Sequence, residues 1–199
     1  MKRHLQYNWW KYIAIFLLSV IVWTSVFDAM QAPRPDEQVN VLYIGQSLDA
    51  AALQQQLQQV LPTLTEQPLK KIAVETELPA DSQFSSVLSA RLHSYDVILI
   101  EAPYMQDKIG QNIFVRLTEP LIAHFPHART YTEMTEAGLL TYGFTVPRES
   151  HFSRYYTGSE PCYLFVSPYS VNFDTLNEAG SPGNDGALKA AQYLLEIMP

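Results

Sequence analysis

The sequence predicts one N-terminal transmembrane helix followed by a three-layer α/β/α domain with a mostly parallel sheet. Three observations predict it. Residues Trp9–Phe27 form an apolar run whose one charge, Lys11, lies near its start, with none from Tyr12 onward. Strand-like runs at 39–45, 71–76 and 95–102 alternate with helix-like segments at 50–61 and 82–94. That order, strand-helix-strand-helix-strand, implies parallel strands joined by right-handed crossovers. The first and third runs are also almost continuously apolar, the mark of strands covered on both faces.

The apolar run has 19 residues, which as a helix span about 28 Å, close to the hydrocarbon thickness of a bilayer. Lys2, Arg3 and Lys11 flank its start and Asp28 follows its end. Positive residues stay cytoplasmic, so the N-terminus is expected inside and the rest outside. A cleaved signal peptide is the competing reading. It needs a shorter apolar core and a small-residue cleavage site. No A-x-A pattern follows Phe27, and Ala29 or Ala32 would be poor sites. All three tryptophans, Trp9, Trp10 and Trp23, lie in the run, where they suit anchoring at the two interfaces. The anchor reading is therefore preferred, and membrane lipid around Trp9–Phe27 is the first expected partner. No cysteine follows the run closely enough for a lipid-modified anchor. Ser19, Thr24 and Ser25 are the small polar residues through which the helix would pack against a membrane-protein partner.

The expected organisation is a cytoplasmic N-terminus at 1–8, the membrane helix at 9–27, a linker at 28–38 marked by Pro33 and Pro35, and an extracytoplasmic domain at 39–199. Within that domain Gly45 ends the first strand and Asp49 caps the next helix. Leu53, Leu57, Val60 and Leu61 share one face of that helix and glutamines the other. Phe84, Val87, Leu88 and Leu92 repeat at helical spacing in the second helix. After Pro103 the pattern loosens. A short helix is expected at 105–111, a turn at 117–121 leading into a helical 122–125, and a strand at 141–146 stopped by Pro147. Residues 148–160 read as a long exposed loop and 162–166 as a strand. A turn cluster at 181–186 precedes a closing helix at 187–198, with Leu188, Ala191, Leu194 and Leu195 facing inward.

From residue 35 onward there are nine Lys and Arg against 19 Asp and Glu, a net charge of −10. Nucleic acid and anionic lipid surfaces need basic patches, so neither is an expected partner. Ordinary solubility explains the charge, and a basic partner would also suit it. Cys162 is the one cysteine. It forms no internal disulfide, and its place in Pro161–Val166 marks it as a buried small hydrophobe.

The stretches VNVLYIG, YDVILIEAPYM, FVRLTEPL, YGFTVP, CYLFVSPYSVNFDTLN and ALKAAQYLL, taken in that order over residues 39–198, resemble one lobe of the extracellular solute-binding proteins of bacterial ABC importers, the type II periplasmic-binding-protein fold. About 40 residues separate Pro120 from Cys162, too few for the second lobe that clamps a solute in that family. The family is also usually secreted or lipid-anchored through a cysteine. The resemblance therefore implies a reduced, membrane-anchored relative, and ligand positions are not carried over from the family.

Candidate sites come from the residues themselves. In parallel sheets ligands sit beyond the carboxyl ends of strands. That places Gly45, Gln46 and Ser47 after the first strand and Glu101, Pro103 and Tyr104 after the third. Gly45, Gln46, Ser47, Glu101 and Tyr104 are the candidate ligand residues, weighed against a plain turn with a helix cap. Phe152, Arg154, Tyr155 and Tyr156, aromatics with an arginine, are the candidate partner contact, weighed against aromatics folded back over the sheet edge. His124, His127 and His151 read as surface histidines, because Pro126 spoils the spacing two ligands would need. The pairs Glu133/Glu136 and Glu149/Glu160 sit in loop-like sequence and imply no glycosidase. No nucleophile elbow, phosphate loop or dinucleotide fingerprint occurs. No catalytic residue, metal or cofactor is expected. The leading expectation is a membrane-anchored binding or accessory protein of a bacterial envelope complex, such as an ABC transporter. The alternative is a minimal receptor for a small polar ligand: a sugar, peptide or anion.

Overall fold

A computed structural model describes residues 2–65, 68–78, 84–173 and 185–198, with backbone alone at 2–8 and 84–87. The chain divides into two compact units, 1–34 and 35–199.

The first unit is one helix, α1 (Lys2–Gln31). Its stretch Trp9–Gln31 is long and apolar enough to cross a membrane. Asp28 to Gln31, expected in the linker, continue the helix. It stops just before Pro33, where the preceding residue is pushed out of helical geometry. The hydroxyls of Ser19, Thr24 and Ser25 donate back along the helix, to Ile15 O at 2.8 Å, Ile21 O at 2.9 Å and Ile21 O at 2.8 Å. Their hydrogen bonds are thus made without a second helix.

The second unit holds β1 (Gln38–Ile44), α2 (Ala50–Leu64), β2 (Lys71–Glu77), α3 (Phe84–Arg91), β3 (Val97–Glu101), α4 (Ile109–Ile113), α5 (Glu119–Ala123), β4 (Arg129–Thr135), β5 (Gly138–Thr145), β6 (Cys162–Val166) and α6 (Gly186–Leu195). The strands form a six-stranded sheet ordered β2-β1-β3-β6-β5-β4. Side chains alternate between its faces. Val39, Val41, Tyr43, Val97, Leu99, Leu164 and Val166 share one core with Leu53, Leu57 and Leu61 of α2 and with α6. Leu42, Ile44, Ile98, Ile100 and Phe165 share the other with Leu88, Leu92, Ile109 and Phe114. Each fully buried leucine of α2 contributes about 1.5–3 kcal/mol of transfer free energy, and Asp49 caps that helix by accepting from Ala52 N at 3.0 Å. Phe84, Val87 and most of the expected turn at 181–186 lie outside the described side chains.

The sheet is mixed, not mostly parallel. β1 pairs parallel with β2 and β3, as strand–helix alternation requires, but the pairings β3–β6, β6–β5 and β5–β4 are antiparallel. The reason lies after β3, where the chain stops making helical crossovers. β4 and β5 join through the two residues Glu136 and Ala137, too short for anything but a hairpin. Gly138 closes that turn at φ +107°, a region that favours glycine. β4 lies where the sequence reads as loop, and Glu133 is on this strand. Its buried carboxylate accepts from Gly110 N at 2.7 Å, Gln111 N at 3.0 Å and the Tyr131 hydroxyl at 3.0 Å. Gln111 Nε2 also reaches Met134 O at 2.8 Å. An inward carboxylate and a side chain lying on the strand are both ways of blunting a sheet edge.

Candidate functional site

The chain leaves β1 through α2 to reach β2 on one side, and returns through α3 to β3 on the other. The crevice between the carboxyl ends of β1 and β3 is thus a topological switch point, where open α/β sheets bind ligands. Glu101, the last residue of β3, follows Val97 and Leu99 on the α2 face and is only 4% exposed. Its carboxylate accepts from the Tyr43 hydroxyl, from Ser47 N at 3.2 Å and from Gln46 N at 3.4 Å. Ser47 N also lies 3.2 Å from the Tyr43 oxygen. A Cβ on Gly45 would stand 2.5 Å from both the Glu101 carboxyl carbon and the Tyr43 oxygen. Glycine is what lets the carboxylate reach these amides. The switch point is occupied, and its occupant is the chain's own side chain.

The groups around Glu101 are held in their neutral forms. Burial, then the Glu101 hydrogen bond, push the Tyr43 phenol far above its usual pKa. Cys162 stands opposite Glu101 in the β3–β6 register and is 3% exposed. Burial first and the Glu101 charge second push its thiol upward. A thiol so held carries little of the thiolate form that acts as nucleophile. Tyr43 donates a proton to its hydrogen bond with Glu101 and keeps it.

A lid closes the crevice. Residues 148–160, expected as an exposed loop, contain a short 3-10 turn at His151–Arg154 and pair with the β1–α2 turn. Asp49 N donates to Tyr155 O at 2.8 Å, Thr157 N to Ser47 O at 2.8 Å, and Ala102 N to Pro161 O at 2.8 Å. Phe152 is fully buried, its ring 6.3 Å from Tyr43 and stacked 5.4 Å from Tyr156. The Tyr156 hydroxyl donates to Glu160 O at 2.8 Å. Burial, then the Glu101 charge, raise that phenol to about 12.

Of the candidate ligand residues, Gly45, Gln46, Ser47 and Glu101 come together, the middle two through their backbone amides. Tyr104 does not join them: it packs against the core on the other face of the sheet. Of the candidate partner residues, Arg154 is exposed, Tyr155 and Tyr156 are half-buried and Phe152 is inside. The turn at 151–154 swings Phe152 beneath the lid, which removes it from any surface. The sequence marks Tyr43 only as part of a strand. Its signal was its spacing: two residues beyond Val41 it must lie on the α2 face, where a buried phenol needs a partner.

A second buried carboxylate lies at the opposite end of β3. Asp96 accepts from Asn40 N at 2.8 Å, Ser170 Oγ at 2.7 Å and Asn172 Nδ2 at 2.9 Å. Asn172 Nδ2 also faces Pro35 O at 3.1 Å and Gln38 O at 2.9 Å. Burial raises the Asp96 pKa against these three hydrogen bonds, which lower it. The cluster clasps residues 35–38 to the domain and makes a structural joint.

Among the described residues no three His, Cys, Asp or Glu side chains converge as metal ligands. No family model, curated protein or solved structure matches the chain.

Proposed function

We propose that the chain is a single-pass membrane protein, cytoplasmic at 1–8 and extracytoplasmic beyond the helix, whose outer domain works by binding as an accessory of a bacterial envelope complex. An ABC transporter is one such complex. No catalytic step is assigned to it, and the proposal does not lean on the likeness to a solute-binding lobe. The observation that carries it is the occupied switch point: Glu101 already fills the amide-lined crevice where a receptor of this topology would hold a small anion. A sugar, peptide or anion seated at Gly45, Gln46, Ser47 and Glu101 would first have to expel that carboxylate. Binding then falls to the exposed surface, and Arg154 with the outer edges of Tyr155 and Tyr156 remains the candidate contact.

Topology is tested with Arg154→Cys in intact cells. Cys162 is buried and gives little background. Labelling by a membrane-impermeant maleimide before lysis is expected; labelling only after lysis overturns the orientation. A photo-crosslinker at Tyr155 is expected to capture one membrane protein reproducibly. Failure to crosslink there and at other exposed positions of the domain overturns the partner reading.

A further inference from the structure

Two segments of the outer domain turn polar side chains inward and apolar ones outward. After β6, Ser167, Ser170 and Asn172 are buried, while Tyr169 and Val171, interleaved with them, are 52% and 41% exposed. On the β4–β5 hairpin Glu133 is buried, while Met134 and Leu139, opposite each other in the register, are 69% and 63% exposed. Single exposed apolar side chains are ordinary, but water selects against segments inverted in this way. The inversion is fixed. Ser167 Oγ donates to Leu92 O at 2.8 Å and Ser170 Oγ to Asp96 Oδ1 at 2.7 Å, as the Glu133 carboxylate is held by amides of α4.

Register puts both segments at one end of the sheet. Gly143 pairs with Phe165, Phe165 with Ile98 and Ile98 with Leu42, so these residues are level across four strands. β5 runs the same way as β1, because the two antiparallel steps through β6 cancel. Leu139 lies four residues before Gly143 and Gln38 four before Leu42. The hairpin tip is thus level with the start of β1, to within the one residue taken up by the bulge beside Tyr131. β6 ends at the same edge, with Val166 opposite Val97, the first residue of β3. The loop beyond returns to the start of β1, where Asn172 Nδ2 meets Pro35 O and Gln38 O.

That end is also where the chain arrives from α1. The helix stops at Gln31 and the domain begins at Pro35, a gap that a stretched chain spans in at most about 14 Å. So short a tether makes contact with the bilayer intramolecular, at an effective concentration on the order of millimolar. A few apolar side chains then suffice where they would not hold a free protein on lipid. We propose that Met134, Leu139, Tyr169 and Val171 seat this end of the domain in the interface of the bilayer that α1 crosses. The surface is apolar and carries an interfacial tyrosine, so zwitterionic lipid is its occupant. The inference rests on the single-pass reading, but not on a partner or on which side of the membrane the domain occupies.

The test is fluorescence quenching of the full chain in phosphatidylcholine nanodiscs, by lipid carrying a nitroxide near the carbonyl end of its acyl chain. One fluorophore is attached in turn to Leu139→Cys, Tyr169→Cys, Leu78→Cys and Trp23→Cys; Cys162 is buried and gives little background. Leu78 is a matched control, since it is 54% exposed but follows β2 at the opposite end of the sheet. Labels at 139 and 169 should be quenched several-fold more than the label at 78. Adding Met134→Glu and Leu139→Glu should bring the 169 label down toward the control, and these exposed positions should leave the melting temperature unchanged. Quenching at 139 and 169 no greater than at 78, with the label at 23 strongly quenched, overturns the inference and leaves the single-pass reading standing. Absence of quenching at 23 overturns both. Quenching at 169 unmoved by the glutamates overturns the role given to the hairpin.

Discussion

Replacing Glu101 by alanine removes the acceptor for the Tyr43 hydroxyl and for the amides of Gln46 and Ser47. Each buried donor left without a partner costs about 1–3 kcal/mol, while relief from burying a charge offsets part of the total. A net loss of about 2–4 kcal/mol follows, and for a domain of this size that lowers Tm by about 5–15 °C. The assay is thermal unfolding of the full chain in detergent, followed by circular dichroism. A second arm separates a lost ligand from generic damage. The cavity left by the side chain should accept formate, which restores the carboxylate without the chain. With a Kd near 10 mM, about 100 mM formate returns roughly 1.4 kcal/mol, or about 3–5 °C, by mass action. Chloride at the same ionic strength should do nothing, and formate should leave the parent protein unmoved. The reasoning is refuted if Glu101→Ala melts with the parent, or if formate raises both proteins equally.

Three other outcomes are expected. Cys162 should resist iodoacetamide in the folded protein and react fully in denaturant, because burial and the Glu101 charge hold the thiol protonated; mass spectrometry reads the ratio. Asp96→Ala should cost about 2–4 kcal/mol and speed amide hydrogen exchange at residues 35–40, which the Asp96–Asn172 cluster clasps; unchanged exchange there would dissolve the clasp. Tyr95 and Tyr156 should ionise near pH 12 by ultraviolet titration, each raised first by burial. An unfolded tyrosine ionises near pH 10, so the unfolded state gains from that pH upward. The tyrosines' contribution to stability is therefore intact below about pH 10 and lost as pH climbs toward 12.

The amino-terminal half was legible because its signals are local. Apolar runs gave β1, β2 and β3 to within a residue or two, and leucine spacing gave the buried face of α2. The sheet's second half was not, because it depends on pairing. β4, RTYTEMT, shows no apolar alternation: its one buried side chain is Glu133, whose partners are amides of α4. The lid reads as exposed in sequence because His151–Tyr156 is polar and aromatic, yet its bonds go to a turn about 110 residues earlier and to residues 196–198. Glu101 was placed at the right strand end. That it faces Tyr43 and not Tyr104 follows from register, which no single stretch of sequence displays.

Glu101, Glu133 and Asp96 share one device, and it bears on function. Each is a buried carboxylate whose partners are backbone amides, hydroxyls or a carboxamide, with no lysine or arginine within ion-pair distance among the described residues. The negative charge of the outer domain therefore overstates its surface, since three of its acids face inward. It also sets the affinity of any ligand aimed at the switch point. Such a ligand binds only the state in which Glu101 has swung away, and opening that state costs about what the side chain contributes, roughly 3 kcal/mol. Apparent affinity falls by the population of the competent state, here about 150-fold. A small anion that would bind the bare amides at about 1 mM is thus reduced to about 0.15 M, too weak for a receptor. Loss of the partner reading would not revive that receptor. Only a ligand that offsets the expulsion of Glu101 would, and such a ligand must bind the Glu101→Ala variant about 150-fold tighter than the parent.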